Sequence, residues 1–223
     1  MKKLLYLMIV ATMLVSGVLC ADAKTNTEVG MLSPYTSLLA DSAYDNCSPE
    51  DESTVTQLIA EAVRLHGIYN GTGIEDSYDE QTYHQYAIEK GIIYEGLFDN
   101  YLRSATRAET IYVLAKAVPG SLYSSEINEI TLIPDCDPSA GYYDYVMAFY
   151  KAGIVTGYDK YGAFRPGASM VNKDFQEILN KLVRSELREK AQYLEYASDA
   201  PFYLIDDFLM VQERHGNIGS GWR

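Results

Sequence analysis

Thr106-Arg107-Ala108-Glu109 is the stretch of this chain best suited to do chemistry. Thr106 can cap a helix, and Glu109, three residues on, can reach back to close a capping box. An arginine in the first turn then opposes the positive end of the helix macrodipole, which makes it a poor choice for helix stability. Together with the free backbone N–H groups of a helix start, its guanidinium makes an anion site. Nothing else in the chain competes as a reaction centre. His66, His84 and His215 lack metal-ligand spacing to cysteine or to each other. There is no glycine-rich phosphate loop and no nucleophile elbow. Pairs such as Asp206-Asp207 occur among 31 acidic residues, where chance adjacency is common. The chain therefore reads as a binding protein rather than an enzyme, with no cofactor and no metal.

The elements that position this tetrapeptide form a repeated unit. A short amphipathic helix carries Tyr83, Tyr86, Ala87 and Ile88, stops at Gly91, and leads through a loop to a second helix after Thr106. The order recurs with Tyr142, Val146, Phe149 and Tyr150, a stop at Gly153, and a second helix after Val171. A hydrophobe follows each glycine at once, as it does when glycine takes the left-handed C-cap position. The second helices match as well. Ala108, Ile111, Leu114, Ala115 and Val118 form one apolar stripe, and Phe175, Ile178, Leu179, Leu182 and Val183 form the other. Upstream, Thr54-Val55-Thr56-Gln57 can close the same capping box before Leu58, Ala62, Leu65 and Tyr69. Pro34, Pro49 and many polar residues precede it, so the first copy reads as incomplete.

Residues 1–23 read as a secretory signal: Lys2 and Lys3, an apolar run from Leu4 to Leu19, then Ala21-Asp22-Ala23. Cys20 raises a lipid anchor, but bulky Leu19 precedes it where a small residue is expected. No other run approaches the roughly 18 apolar residues that span a bilayer, so the chain after signal removal is expected to stay out of the membrane. A net charge of −13 argues against nucleic acid, which needs a basic footprint. Screening over about 8 Å still lets a local basic cluster hold an anion. Cys47 and Cys136 are too few for a disulfide scaffold, and free thiols or one bridge both remain open.

Lys151-Ala152-Gly153-Ile154-Val155-Thr156-Gly157-Tyr158-Asp159, followed by Tyr161-Gly162-Ala163-Phe164-Arg165-Pro166, resembles the glycine-hinge and aromatic-x-proline signature of the S-layer homology (SLH) domain family. Tyr86 to Ile93 and the Thr106–Glu109 tetrapeptide match that family's motifs in the copy before it. Ile130-Thr131-Leu132-Ile133-Pro134-Asp135 also looks like the segment that introduces a third copy. The resemblance covers roughly residues 45–185. It implies a mainly α fold of tandem helix-loop-helix repeats, forming a pseudo-threefold three-helix bundle with peripheral prongs. The boundaries are a signal peptide 1–23, a leader and incomplete first repeat 24–70, a second repeat 71–126, a third repeat 127–186, and a tail 187–223.

The resemblance further implies non-covalent anchoring to the cell wall or S-layer surface of a Gram-positive bacterium. The partner would be an acidic polysaccharide associated with peptidoglycan. Arg107 is the family's anion contact, Thr106 and Glu109 frame it, and Arg103 is the next basic residue. Gly91 and Gly153 would let backbone approach a sugar. Only the second copy keeps the whole motif. The first has valine for the arginine, and the third reads Val171-Asn172-Lys173-Asp174, without threonine or arginine. Lys173 supplies charge but not a planar fork. One competent groove is expected, and Arg107→Ala is expected to remove binding at little cost in stability.

Two alternatives stand beside this reading: a degenerate-repeat structural or interaction module, or the anchor portion of a wall enzyme. The flanking cations Arg165, Lys160 and Lys90 read as solvated surface. The tyrosines around residues 142–150 read as helix core and rim. Leu187, Ala191 and Leu194 continue the periodicity of the last helix as far as residue 197. Phe202–Ile205 and Phe208–Val211 read as a short strand, either opening a further module or packing on the bundle.

Overall fold

The computed structural model describes residues 48–72 and 80–193. The signal sequence, Cys20, Cys47, His215 and the expected strand at 202–211 lie outside the described residues. The described part is mainly helical, with α1 (Val55–Asn70), α2 (Glu80–Glu89), α3 (Arg107–Ala117), α4 (Tyr143–Lys151) and α5 (Asn172–Val183). Among these residues extended backbone pairs only at isolated positions before α1, α3 and α5.

The expected apolar stripes are the faces that pack. Leu58, Ala62 and Leu65 of α1, Ile111 and Leu114 of α3, and Phe175, Leu179 and Leu182 of α5 are fully buried. Such large side chains contribute about 1.5–3 kcal/mol each on burial. α1 packs on α2 and α3, and α3 packs on α4. Gly91 and Gly153 stop the short helices with φ of 69° and 70°. In each case the following isoleucine N–H reaches back 2.9 Å into the helix, Ile92 to Ala87 O and Ile154 to Phe149 O. A side chain is strained at such a φ, so glycine is the residue that ends these helices cleanly.

The three long helices start together. Ser53 N–H donates to Met170 O at 2.7 Å, Met170 N–H to Ala105 O at 2.8 Å, and Ala105 N–H to Ser53 O at 2.8 Å, closing a ring. The first two N–H groups of each helix extend the pattern. Val55 and Thr56 donate to Arg103 O and Tyr101 O, Arg107 and Ala108 to Ala168 O and Pro166 O, and Asn172 and Lys173 to Asp51 O and Pro49 O. Each helix start is thus satisfied by the segment that leads into another long helix, four and six residues before that helix begins each time. The capping boxes at Thr54–Gln57 and Thr106–Glu109 are both formed, and Val171 gives α5 no side-chain cap.

After α5 the structure departs from the sequence expectation. The helix ends at Val183, and only a short 3-10 turn, Ser185–Leu187, follows. Arg188 closes the end of α5 by donating to Lys181 O at 3.0 Å and reaches Leu122 O and Ser125 Oγ. Asn128 accepts the Ala191 N–H at 2.9 Å and donates to Glu189 O at 3.0 Å. These bonds tie residues 188–191 to Asn128 and to the end of α5, so the periodicity of Leu187 and Ala191 does not become a helix.

Burial also sets a pH dependence. Glu61 on α1 is 3% exposed, and desolvation raises its pKa although Arg64 Nη1, 2.7 Å away, pulls it down. Asp135 is raised for the same first reason, against the N–H groups of Phe164 and Arg165. The folded state holds these protons more tightly than the unfolded chain does. Stability therefore falls as pH rises through the raised values and returns as pH drops toward the ordinary carboxylate range. The expected contribution of these two carboxyls is a Tm that falls as pH is raised above the ordinary carboxylate range, opposed by His66, whose pKa burial lowers so that acid costs stability. Glu61→Gln should flatten that slope, and an unchanged slope would show that the term lies elsewhere.

Candidate functional site

Thr106, Glu109 and Arg103 form one closed set. Glu109 N–H donates to Thr106 Oγ1 at 3.2 Å, and Thr106 N–H donates to Glu109 Oε2 at 2.8 Å. Arg103 then grips the same carboxylate with both terminal nitrogens, Nη1 to Oε2 at 2.9 Å and Nη2 to Oε1 at 2.6 Å. This two-point geometry is the strong form of an arginine–carboxylate contact. It raises the Arg103 pKa, with the Glu109 hydrogen bond as the first cause. The three side chains buttress the start of α3.

The α3 N-terminus is not the open anion site that its sequence suggests. Arg107 N–H and Ala108 N–H go to Ala168 O and Pro166 O at 2.9 and 3.0 Å, and Thr110 N–H goes to Thr106 O. With Glu109 N–H on the threonine, the first-turn donors all have protein acceptors, which leaves none for an anion. The copy-to-copy ring is the physical reason.

Arg107 itself lies between copies and is 4% exposed. Its Nε donates to Phe164 O at 2.9 Å, and its Nη1 lies 3.4 Å from Asp174 Oδ2. The guanidinium carbon is 4.5 Å from the Tyr158 ring centroid and 5.0 Å from that of Phe164. Asn172, at the same helical position in α5, likewise donates to a backbone carbonyl of the next copy, Ser48 O, at 3.0 Å. The first helical position of α3 and of α5 thus carries a polar clamp between copies. In α1 that position is Val55, which is apolar and fully buried.

Arg107 opens on one side into a cleft of about 140 Å³, lined by residues 154–158 and by Asp174, Glu177 and Ile178 of α5. Tyr158 is 45% exposed at its rim, and its hydroxyl donates to Asp174 Oδ2 at 3.1 Å. Arg165 stacks on the same ring, its guanidinium carbon 4.7 Å from the centroid. Among the described residues Arg165 is the one non-glycine with positive φ, 58°. Its N–H is held by Asp135 Oδ2 at 2.6 Å. Arg165 thus holds a left-handed backbone that glycine adopts more readily.

Glycine shapes the loop at Gly157, where any Cβ would run into the backbone of Gly162, and the Gly157 N–H meets the Tyr193 hydroxyl at 2.8 Å. Gly153 is closed to a ligand on the side a side chain would occupy, since an added Cβ would stand 2.5 Å from Glu189 O and from Ile127. Gly91 is open, with nothing within 4 Å of that position, but it does not line the cleft.

The cleft therefore gathers Arg107 with two residues that sequence reasoning passed over, Tyr158 and Asp174, and Arg165, left as surface, reaches it only through the Tyr158 ring. Arg165 sat in the aromatic-x-proline motif, which was the available signal. Asp174 is the third helical residue of α5, where Gln57 and Glu109 close capping boxes in α1 and α3. With Val171 in place of threonine there is no hydroxyl to answer, and the carboxylate turns instead to Arg107 and Tyr158. Glu177 at the far wall pairs with Lys181 Nζ at 2.6 Å.

Lys173 is exposed beside this cleft's helix, and Lys160 lies on its own loop tyrosine, 5.0 Å from the Tyr161 centroid. His66 is half-buried with Nδ1 2.9 Å from Tyr86 Oη, and His84 Nε2 meets Tyr101 Oη at 2.6 Å. Cys136 is a buried free thiol. Among the described residues no cluster of potential metal ligands occurs, and no helix is long and apolar enough to cross a membrane. No family model matches the chain, and neither does any curated protein or solved structure.

Proposed function

We propose that the chain anchors an exported protein to a bacterial cell wall, its SLH-like repeats arranged as a pseudo-threefold bundle with peripheral loops. It does so by binding an acidic wall polysaccharide between the second and third copies. The observation that carries this reading is the Tyr158 ring at the rim of the cleft, on which Arg107 from the lining and Arg165 from outside it both stand, in a chain of net charge −13. The exposed tyrosine offers a face and a hydroxyl to a sugar ring, and Arg165 offers a fork to its acidic group. Arg107 holds the loop and supplies the cation of a lining that also carries Asp174 and Glu177. The closed ring of hydrogen bonds among three helix starts supports the repeat reading, because it pairs corresponding residues of three copies.

A second reading, a structural module without glycan binding, is favoured by Asp174, which already sits against Arg107. Sedimentation with purified Gram-positive walls, intact or stripped of their acidic polymer, separates the two. Anchoring predicts sedimentation with intact walls only. Arg165→Ala should weaken it about tenfold, the scale of one charge-assisted contact, with Tm unchanged within about 2 °C. Equal sedimentation with both wall preparations, or with neither, would overturn the polysaccharide reading.

A further inference from the structure

The junctions between copies contain a second basic and aromatic cluster, unrelated to the Arg107 cleft. Arg64 and Lys116 occupy the same position counted from Val55 and Arg107, and Tyr83 and Tyr145 the same position counted back from Gly91 and Gly153. In both junctions the cation stands 5.6 Å from the centroid of the matching ring. The pair is thus a repeated element joining a long helix to the short helix of the next copy.

The two junctions differ in charge and exposure. At the first, Glu61 neutralises Arg64 at 2.7 Å and Tyr83 is buried. At the second, Val113 stands where Glu61 would be, and among the described residues no carboxylate lies within ion-pair distance of Lys116. Lys116 is exposed, and Tyr112 and Tyr145 are half-exposed. Those rings meet edge to face at 5.7 Å, with the Lys116 ammonium 5.8 Å from the Tyr112 centroid. A hydrogen bond with Tyr145 is the first cause holding the lysine above its ordinary pKa, and Tyr123 acts in the same direction. Tyr94, 39% exposed, bears on Tyr112 from the loop after Gly91.

Among the described residues the cation–tyrosine pair here is without the counter-ion of the first junction and is open to solvent. We propose that Lys116, Tyr112 and Tyr145 form a separate binding site for a pyranose bearing a carboxylate. The ammonium takes the carboxylate, the ring faces take the C–H face of the sugar, and the phenol hydroxyls take sugar hydroxyls. A polyacidic peptide is a poorer occupant, because the chain's own negative field repels its other charges within a Debye length. Lys116 lies about 13 Å along α3 from Arg107, so the two sites are independent.

The test titrates the full chain, carrying 13C-labelled tyrosine, with D-glucuronate while the tyrosine resonances are followed by NMR. Tyr112→Phe and Tyr145→Phe assign the signals. Saturable shifts of Tyr112 and Tyr145 are expected whether or not Tyr158 responds, with affinity at these two tyrosines about tenfold lower for D-glucose and for Lys116→Gln. Arg165→Ala should leave the titration unchanged, which distinguishes this site from the cleft whatever the fate of the anchoring reading. The proposal is overturned by absence of saturation, by a response indifferent to Lys116→Gln, or by penta-L-glutamate displacing the sugar at equal concentration.

Discussion

Arg107→Ala is expected to destabilise the protein by about 3 kcal/mol, lowering Tm by roughly 6–12 °C for a domain of this size. Three losses add. The substitution strips the Nε–H from Phe164 O, and a buried carbonyl left without its donor costs about 1–3 kcal/mol. It removes cation contacts to Tyr158 and Phe164, about 0.5–2 kcal/mol. It also leaves an unfilled space between copies where a side chain 4% exposed had packed. The Asp174 contact adds little, because that carboxylate is 30% exposed and solvent screens it. Thermal unfolding of the purified variant checks this, and a Tm within about 2 °C of the parent would show that the clamp is not structural. Loss of wall binding in Arg107→Ala alone is therefore ambiguous, whereas Arg165→Ala and Tyr158→Phe report on the cleft without removing the clamp.

That result would reverse the sequence expectation, in which a first-turn arginine is exposed and its removal nearly silent. Local signals carried the parts of the fold that depend on neighbours in the chain. The apolar stripes of α3 and α5, the left-handed glycines ending α2 and α4, and the two capping boxes are all set within a few residues, and all were legible. What escaped depends on register between copies. The burial of Arg107 is imposed by Phe164, Pro166 and Ala168, residues that no local pattern pairs with it. The helix expected through residues 185–197 fails in its described part for a similar reason. Asn128 and Arg188 offer the backbone after α5 hydrogen bonds that its own periodicity could not foretell. Tyr158 went unmarked because a loop tyrosine acquires meaning only when two arginines from different segments reach it.

Asp174→Asn should raise affinity for the acidic wall polymer about tenfold, near 1.4 kcal/mol. In α1 and α3 the third helical residue turns back to its own cap threonine. In α5 the cap is Val171, and the Asp174 carboxylate stands 3.4 Å from Arg107 and accepts the Tyr158 hydroxyl. An acidic ligand entering the cleft must compete with this internal carboxylate for the same charge. Asparagine keeps an acceptor for Tyr158 and removes the competing charge, at the expense of a favourable helix-dipole contact of about 0.3–1 kcal/mol. Val171→Thr should act in the same direction by another route. It restores a cap worth about 1 kcal/mol and gives Asp174 a reason to turn away from Arg107. The two variants thus move stability in opposite directions while both increase sedimentation with intact walls, a combination that a purely structural role for Asp174 does not produce. If Asp174→Asn lowers affinity instead, the carboxylate is a ligand contact rather than a competitor. If neither variant sediments at any polymer concentration, Asp174 is not what keeps an acidic polymer from Arg107, and the polysaccharide reading fails.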